Sequence, residues 1–99
     1  LLRPVAAYPI EEWQDLDPTN KPDLAALPDG RLLASDPAHG RVLLLDEDGT
    51  VVAALSSVGE VALAFPRGLT YEPESRFVFV AEATANRVRR FPLSDFAFR

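Results

Sequence analysis

The sequence contains no cysteine, one histidine and one tryptophan among its 99 residues. Without cysteine the chain can form no disulfide, no thiolate metal site and no cysteine nucleophile. It has no apolar run near the roughly 20 residues that a membrane-spanning helix needs, so we expect no membrane insertion by this segment. It also lacks glycine-rich phosphate loops, a Gly-x-Ser-x-Gly elbow and a His-Glu-x-x-His motif. These absences disfavour an active site confined to this chain and predict no cofactor.

Basic side chains are scarce in the first two thirds of the chain. Residues 1–65 carry four Lys or Arg against eleven Asp or Glu, whereas residues 66–99 carry six against four, and the net charge is -5. Nucleic-acid binding depends on cations that neutralise phosphates. We therefore expect no nucleic acid among the partners of this protein.

What the sequence does contain is an internal repeat. The segment Pro22–Asp36 is followed after four residues by Arg41, and the segment Pro66–Glu82 is followed after four residues by Arg87. The offset between the two copies is 44 residues at the prolines and 46 residues at the arginines. A repeat of this length that is built from short apolar segments is typical of β-propeller blades.

Each repeat divides into short apolar segments separated by turn residues. Asp29-Gly30 and Asp48-Gly49 lie between such segments and are strong hairpin signals. The prediction is an all-β fold, a β-propeller fragment of about two four-stranded antiparallel blades. Strands are expected at 24–27, 31–35, 41–45 and 50–55 in the first blade, and at 69–71, 77–81, 87–91 and from 96 in the second.

The repeat also predicts the organisation of the whole chain. We expect a last strand of a preceding blade (Val5 to Tyr8) with a connecting loop in residues 1–21, a blade in residues 22–55, an inter-blade connection in residues 56–65, and a second blade, truncated in its fourth strand, in residues 66–99. These limits are typical of a piece of a longer array. Consecutive apolar residues in the strands require sheets covered on both faces. Two blades alone should leave one face of each open, so we expect further blades or copies of the chain to cover them.

The repeated residues resemble the NHL repeat, a blade unit of β-propellers that are often six-bladed. The resemblance covers about residues 22–92 and rests on Pro66-Arg67-Gly68-Leu69-Thr70, Val80-Ala81-Glu82, Asn86-Arg87-Val88, Ala34-Ser35-Asp36 and Gly40-Arg41-Val42. It implies a non-catalytic propeller segment that acts as a scaffold for protein or small-ligand binding.

Two alternative functions stay open. In the first, the chain is part of a propeller enzyme of the lactonase or lyase type with a metal at the central channel, where Asp36, His39 and Glu82 would be the residues of interest. In the second, the chain is a structural repeat unit that assembles with copies of itself into a ring, most simply a trimer.

An acidic residue and an arginine share the same spacing in both repeats, as Asp36 with Arg41 and Glu82 with Arg87. At the end of one strand and the start of the next, such side chains can meet across the hairpin in a charge-assisted hydrogen bond. A pairing that recurs in each repeat is what an architectural element would show. We therefore interpret these four residues as structural ion pairs.

Three further residues are candidates to face a ligand: His39, Trp13 and Asn86. His39 near Asp36 could act as a metal ligand or a general base, or simply be a solvated turn residue. No second histidine or cysteine is present to complete a zinc site, so no metal site is predicted. Trp13 could stack on a ligand ring, or pack over the sheet. Asn86 lies in the loop of the second repeat that corresponds to the loop of His39.

Overall fold

Short apolar segments between turn residues form the β-strands, and the part of the chain that the structure describes contains nine of them and two 3-10 turns. The computed structural model describes residue 7, residues 9–10 and residues 21–96. Within this part of the chain there is no α-helix, and consequently no helix long and apolar enough to cross a bilayer. The predicted all-β class is confirmed. Trp13, most of the expected strand from Val5 to Tyr8, and the chain beyond Phe96 lie outside the described residues.

The first repeat forms a four-stranded antiparallel sheet in which neighbours in sequence are neighbours in the sheet. The predicted turns are present, because Gly30 and Gly49 adopt the positive φ angles of +94° and +86° that suit glycine. A 3-10 turn, Pro37–His39, joins the second strand to the third. The strands are β1 (Leu24–Ala26), β2 (Leu32–Asp36), β3 (Arg41–Leu45) and β4 (Val51–Leu55).

The second repeat forms a three-stranded antiparallel sheet with the same sequential order. Along the chain, a small hairpin separates the two sheets, within residues 56–65 that were predicted only as a connection. A second 3-10 turn, Leu93–Asp95, follows the last strand. The hairpin consists of β5 (Ser57–Val58) and β6 (Val61–Ala62), and the second sheet of β7 (Pro66–Glu72), β8 (Phe77–Glu82) and β9 (Arg87–Pro92).

The two sheets pack against each other through one apolar core. Phe91 and Phe96 meet there edge to face, with ring centroids 5.7 Å apart. Fully burying an aliphatic or aromatic side chain of this size contributes about 1.5–3 kcal/mol, so this core holds the sheets together. Its buried members are Leu27, Leu33, Val42, Leu44, Ala53, Leu63, Leu69, Val78, Val80, Phe91 and Phe96.

The outer face of the first sheet is closed. Ala34, Leu43 and Leu45 are almost completely buried there, and Ile10 packs against them from the N-terminal segment. The prediction of an open face on the first sheet is therefore wrong, because a segment outside the repeat contributes to its cover. The outer face of the second sheet, in contrast, is open, and Val88 on it is 66% exposed.

Candidate functional site

Asp36 lies at the centre of a small polar cluster where β2 turns into β3. Its side chain is completely buried. Asp36 and Arg41 are directly opposite each other across the two strands, and Arg41 donates from Nη2 at 2.8 Å and from Nε at 3.2 Å to Asp36 Oδ2. A buried carboxylate requires such a partner, because an unpaired charge away from water is costly.

His39 is the second partner of the buried Asp36 carboxylate. Its Nδ1 atom lies 3.0 Å from both carboxylate oxygens, and its side chain is 41% exposed. A carboxylate on Nδ1 fixes the orientation of an imidazole ring. The 3-10 turn Pro37–His39 produces this contact, since it folds the chain back directly after Asp36, at the end of the sheet where β2 turns into β3. The carboxylate therefore holds a histidine at the surface in a defined orientation.

Glu82 occupies the equivalent position where β8 turns into β9, and its side chain is also completely buried. Arg87 donates from Nε to Oε1 at 2.8 Å and from Nη2 to Oε2 at 3.2 Å. The backbone N–H of Ala64 donates to Oε2 at 2.7 Å, and Arg89 Nε lies 3.4 Å from Oε1. Glu82 therefore ties its own hairpin to the connection between the sheets.

The pKa of Glu82 reflects two opposing effects. Burial raises the pKa, whereas the hydrogen bonds from Arg87 and Ala64 and the positive charges of Arg87 and Arg89 lower it. The lowering effects dominate, so the pKa of Glu82 lies below its ordinary value of 4.5. The side chain is thus held as a carboxylate at neutral pH.

Arg89 has a role that the sequence did not indicate. Its guanidinium donates to the backbone carbonyls of Val58, Val61 and Ala62 in the β5–β6 hairpin, at 2.8–3.1 Å. Alternation along β9 places Arg89 on the same face as Arg87. One side chain thereby fastens the hairpin to the second sheet.

Asn86 is in the left-handed region of backbone conformation, with φ +52°. At the 46-residue offset its counterpart is Gly40, which has φ +63°. Asparagine tolerates this region better than most other residues with a side chain, so the turn geometry is a sufficient reason for its presence. Asn86 is exposed, and Trp13, the third candidate, lies outside the described residues.

A shallow depression lies beside these clusters, at the starts of β1 and β7. Lys21 and Arg67 contribute cationic side chains to its lining, and Gly68 and Ala81 contribute small ones. Asp23 also lines it, and both oxygens of its carboxylate accept hydrogen bonds from backbone N–H groups. Sequence reasoning missed this site, because Lys21 lies just before the first repeat and Arg67 at the start of the second, 46 residues apart. Aligning the two repeats at the 46-residue offset places Lys21 and Arg67 at equivalent positions. Two cations at one depression favour an anionic ligand.

The enzyme alternative requires a metal site. Within the described part of the chain, no three His, Asp or Glu side chains are grouped so that they could hold a metal ion. Asp36 and His39 are brought together, but Glu82 does not join them in such a group. Both buried carboxylates already bind guanidinium groups.

Comparison with known proteins adds no assignment. No protein-family model matches the chain, and no curated protein sequence matches it. The resemblance to the NHL repeat therefore rests on the repeated residues themselves.

Proposed function

We propose that this chain is a segment of an NHL-like β-propeller that acts as a non-catalytic scaffold for binding a protein or a small ligand. The observation that carries the proposal is the repetition of one buried ion pair at the same end of both sheets, as Asp36–Arg41 and Glu82–Arg87. An active site needs its chemical groups once, whereas a scaffold needs the same fastening in every repeat. The two pairs also have the same cross-strand register.

The packing of the sheets supports the same proposal. Sequential antiparallel sheets that stack through apolar faces are the arrangement of propeller blades. Here β7 lies against β1 and β2, so the start of each repeat is close to its counterpart in the other. Polar groups also connect the repeats, since Asp23 accepts a hydrogen bond from the backbone N–H of Leu69 at 3.0 Å.

We expect the binding surface at the end of the sheets that carries the ion pairs. This end presents the β2–β3 turn with His39, the β8–β9 turn with Asn86, and the depression lined by Lys21 and Arg67. Loops held by a rigid scaffold commonly carry binding residues. The two cations favour a ligand with a carboxylate or phosphate group.

Amide NMR spectra of the protein during titration with benzoate, a small aromatic carboxylate, test this function. We expect the amide signals of Lys21, Arg67 and Ala83 to shift, and Arg67→Gln to abolish the shifts. Arg76→Gln is the matched control, because Arg76 lies at the other end of the same sheet. Shifts confined to that other end, or no shifts at all, would contradict the expected binding surface.

The same spectra recorded with calcium and with zinc decide between the scaffold and the enzyme. The scaffold predicts no stoichiometric binding of either cation, because Arg41 and Arg87 occupy the buried carboxylates. Binding of one ion per chain, with shifts centred on Asp36 and His39, would replace the proposal with the enzyme alternative.

A further inference from the structure

A pocket of about 540 Å³ opens between the two repeats, at the end of the sheets opposite the ion pairs. Arg31 and Leu44 of the first repeat line it, together with residues of the β7–β8 turn and of the segment around the Leu93–Asp95 turn. Pockets that bind small molecules commonly have volumes of about 300–1,000 Å³ and mostly apolar walls with a few polar groups. This pocket therefore has the size of a small-molecule site, and its lining indicates the kind of molecule.

The floor of the pocket is apolar and held in place. Leu44 and Phe96 are buried there, and Pro92 and Leu93 are half-buried beside them. The backbone N–H of Leu93 donates to the carbonyl of Arg76 at 3.0 Å, which ties the turn after β9 to the β7–β8 turn. An apolar ring or short chain that lies on this floor would lose contact with water, which favours its binding.

Two arginines stand at the rim of the pocket. Asp29 accepts a hydrogen bond from Nε of Arg31 at 2.8 Å, and no described residue accepts one from the two Nη groups of Arg31. Arg76 is exposed, and the ion pairs of the described residues do not include it. Guanidinium groups in this state can donate two parallel hydrogen bonds to one carboxylate. The rim therefore offers cationic donors beside an apolar floor.

Arg76 occupies a backbone position that suits glycine. Its φ angle is +61°, and its counterpart at the 46-residue offset is Gly30, with φ +94°. The N–H of Arg76 donates to the carbonyl of Glu72 at 2.8 Å, so the turn fixes this conformation. Residues with a side chain seldom adopt it, and such exceptions cluster at ligand-binding sites. The turn geometry does not account for an arginine here, so its reason lies in the side chain.

Five carboxylates belong to the turns and strand ends at this end of the sheets, but none of them lines the pocket. They are Asp29, Glu47, Glu72, Glu74 and Asp95. One already binds Arg31, and Glu72 accepts hydrogen bonds from N–H groups of its own turn. Their repulsion is partly screened by salt, and it acts most strongly on a ligand with several negative charges. The surroundings therefore favour a ligand with a single negative charge.

A second depression, of about 440 Å³, shares Arg76 and Leu93 with this pocket. Asp29 lines the second depression, whereas no carboxylate lines the first. An anion held by Arg76 would meet this carboxylate in the second depression only. The first pocket is therefore the one that suits an anion.

We propose that the pocket between the repeats binds a small amphipathic carboxylate, with its apolar part on the floor at Leu44 and Phe96 and its carboxylate on the guanidinium of Arg76. Arg31 supplies a second cation, and the rim also carries the hydroxyl groups of Ser75 and Ser94. This site and the ligand surface proposed above lie at opposite ends of the sheets, so either can fail without the other.

Amide NMR titration of the chain with 1-naphthoate tests the site. We expect saturable shifts at Arg31, Ser75, Arg76 and Ser94. Naphthalene-1-carboxamide has the same shape without the charge and should bind about tenfold more weakly or worse, because it loses the charge-assisted hydrogen bonds. Acetate, which lacks the ring, should cause no saturable shifts at this end. Shifts of Lys21, Arg67 and Ala83 report on the other surface and are evaluated separately.

Two pairs of variants locate the carboxylate of the ligand. Arg76→Gln should weaken naphthoate binding by about tenfold or more, whereas Arg90→Gln removes the same charge from the outer face of the second sheet, over Phe77, and should leave the affinity unchanged. Ser94→Asp adds a carboxylate to the rim and should weaken binding by about tenfold. Its control is Thr84→Asp, at an exposed position of the β8–β9 turn. Thermal melting checks that each variant folds.

Four outcomes would each overturn the proposal. The first is the absence of saturable shifts at this end of the sheets. The second is equal affinity for naphthoate and its carboxamide, which would show that the charge contributes nothing. The third is a folded Arg76→Gln variant with unchanged affinity. The fourth is a set of shifts centred on Leu27 and Tyr71, which line the second depression.

Discussion

The carboxylate of Asp23 accepts a hydrogen bond at 3.0 Å from the backbone N–H of Leu69, which lies 46 residues further along the chain. The other carboxylate oxygen accepts from the N–H of Leu24. The backbone N–H of Asp23 donates to the Ser35 hydroxyl, and the carbonyl of Asp23 accepts from the N–H of Ser35. One residue therefore connects β1, β2 and β7. This is a polar connection between the two sheets beside an otherwise apolar contact.

Replacing Asp23 with alanine should weaken the contact between the sheets. The N–H of Leu69 would lose its partner at a partly buried position, which costs about 1–3 kcal/mol. Urea unfolding measures the change, with Asp95→Ala as the control, because Asp95 is exposed in the Leu93–Asp95 turn. Equal stability of the two variants would show that the Asp23 bond contributes nothing.

Replacing Arg41 with alanine should destabilise the fold, because Asp36 would stay buried and, among the described residues, would keep His39 as its ionic partner. The expected cost is about 1–3 kcal/mol, or roughly 4–8 °C in Tm for each kcal/mol in a domain of this size. Arg87→Ala should act in the same direction through Glu82. Arg31→Ala is the control, since its partner Asp29 is exposed, and its Tm should barely change. A loss of ligand binding in Arg41→Ala without any loss of stability would contradict the structural role.

Stability at acid pH should depend on Glu82. Because its pKa is lowered in the folded state, the folded chain binds this proton less readily than the unfolded chain. The stabilisation is complete above the ordinary pKa of 4.5 and is lost as the pH falls through the lowered pKa of the folded state. Glu82→Gln should be less stable than the unchanged chain at neutral pH, and the difference should shrink as the solution is acidified below that value.

Unfolding curves measured from neutral pH down to acid pH provide this comparison. Glu74→Gln serves as the control, because its side chain is exposed and belongs to the turn between β7 and β8. Its stability should follow that of the unchanged chain at every pH. A constant difference between Glu82→Gln and the unchanged chain across the whole range would argue against the lowered pKa.

Two glycines with the same backbone conformation should respond differently to alanine. Gly40 and Gly59 both have φ +63°, so both variants pay the same strain of a left-handed residue, about 1–2 kcal/mol. A Cβ at Gly40 would also lie 3.3 Å from the carbonyl oxygen of Leu63, whereas a Cβ at Gly59 meets nothing within 4 Å. Gly40→Ala should therefore lower the free energy of unfolding more than Gly59→Ala, and equal costs would contradict the close approach.

The strands were largely predictable, because the repeat places turn residues between apolar segments. Asp29-Gly30 and Asp48-Gly49 mark turns that the structure contains. The ion pairs were expected from spacing alone, and the structure brings both pairs into hydrogen-bonding contact. In each of these cases the residues that meet are close in sequence, so local geometry is enough.

Features that join distant segments could not be read from the sequence. The β5–β6 hairpin is short and has exposed residues at Val61 and Ala62, so its sequence shows no alternation of apolar and polar residues that would predict it. Arg89 donates to carbonyls 27–31 residues away, and the sequence does not indicate which arginine would make such distant contacts. The burial of the outer face of the first sheet likewise depends on the tertiary packing of Ile10, which lies outside the repeat and is not predicted by it.

The central claim is that two equivalent sheets pack in a fixed order, with the inner face of the second against the first. Methyl NOE measurements on leucine and valine side chains test it most directly. The account predicts NOEs that connect Leu33 and Leu44 of the first sheet with Val78 and Val80 of the second, and none that connect the first sheet with Val88. NOEs from Val88 to the first sheet within one chain, or no NOEs between the sheets, would contradict it.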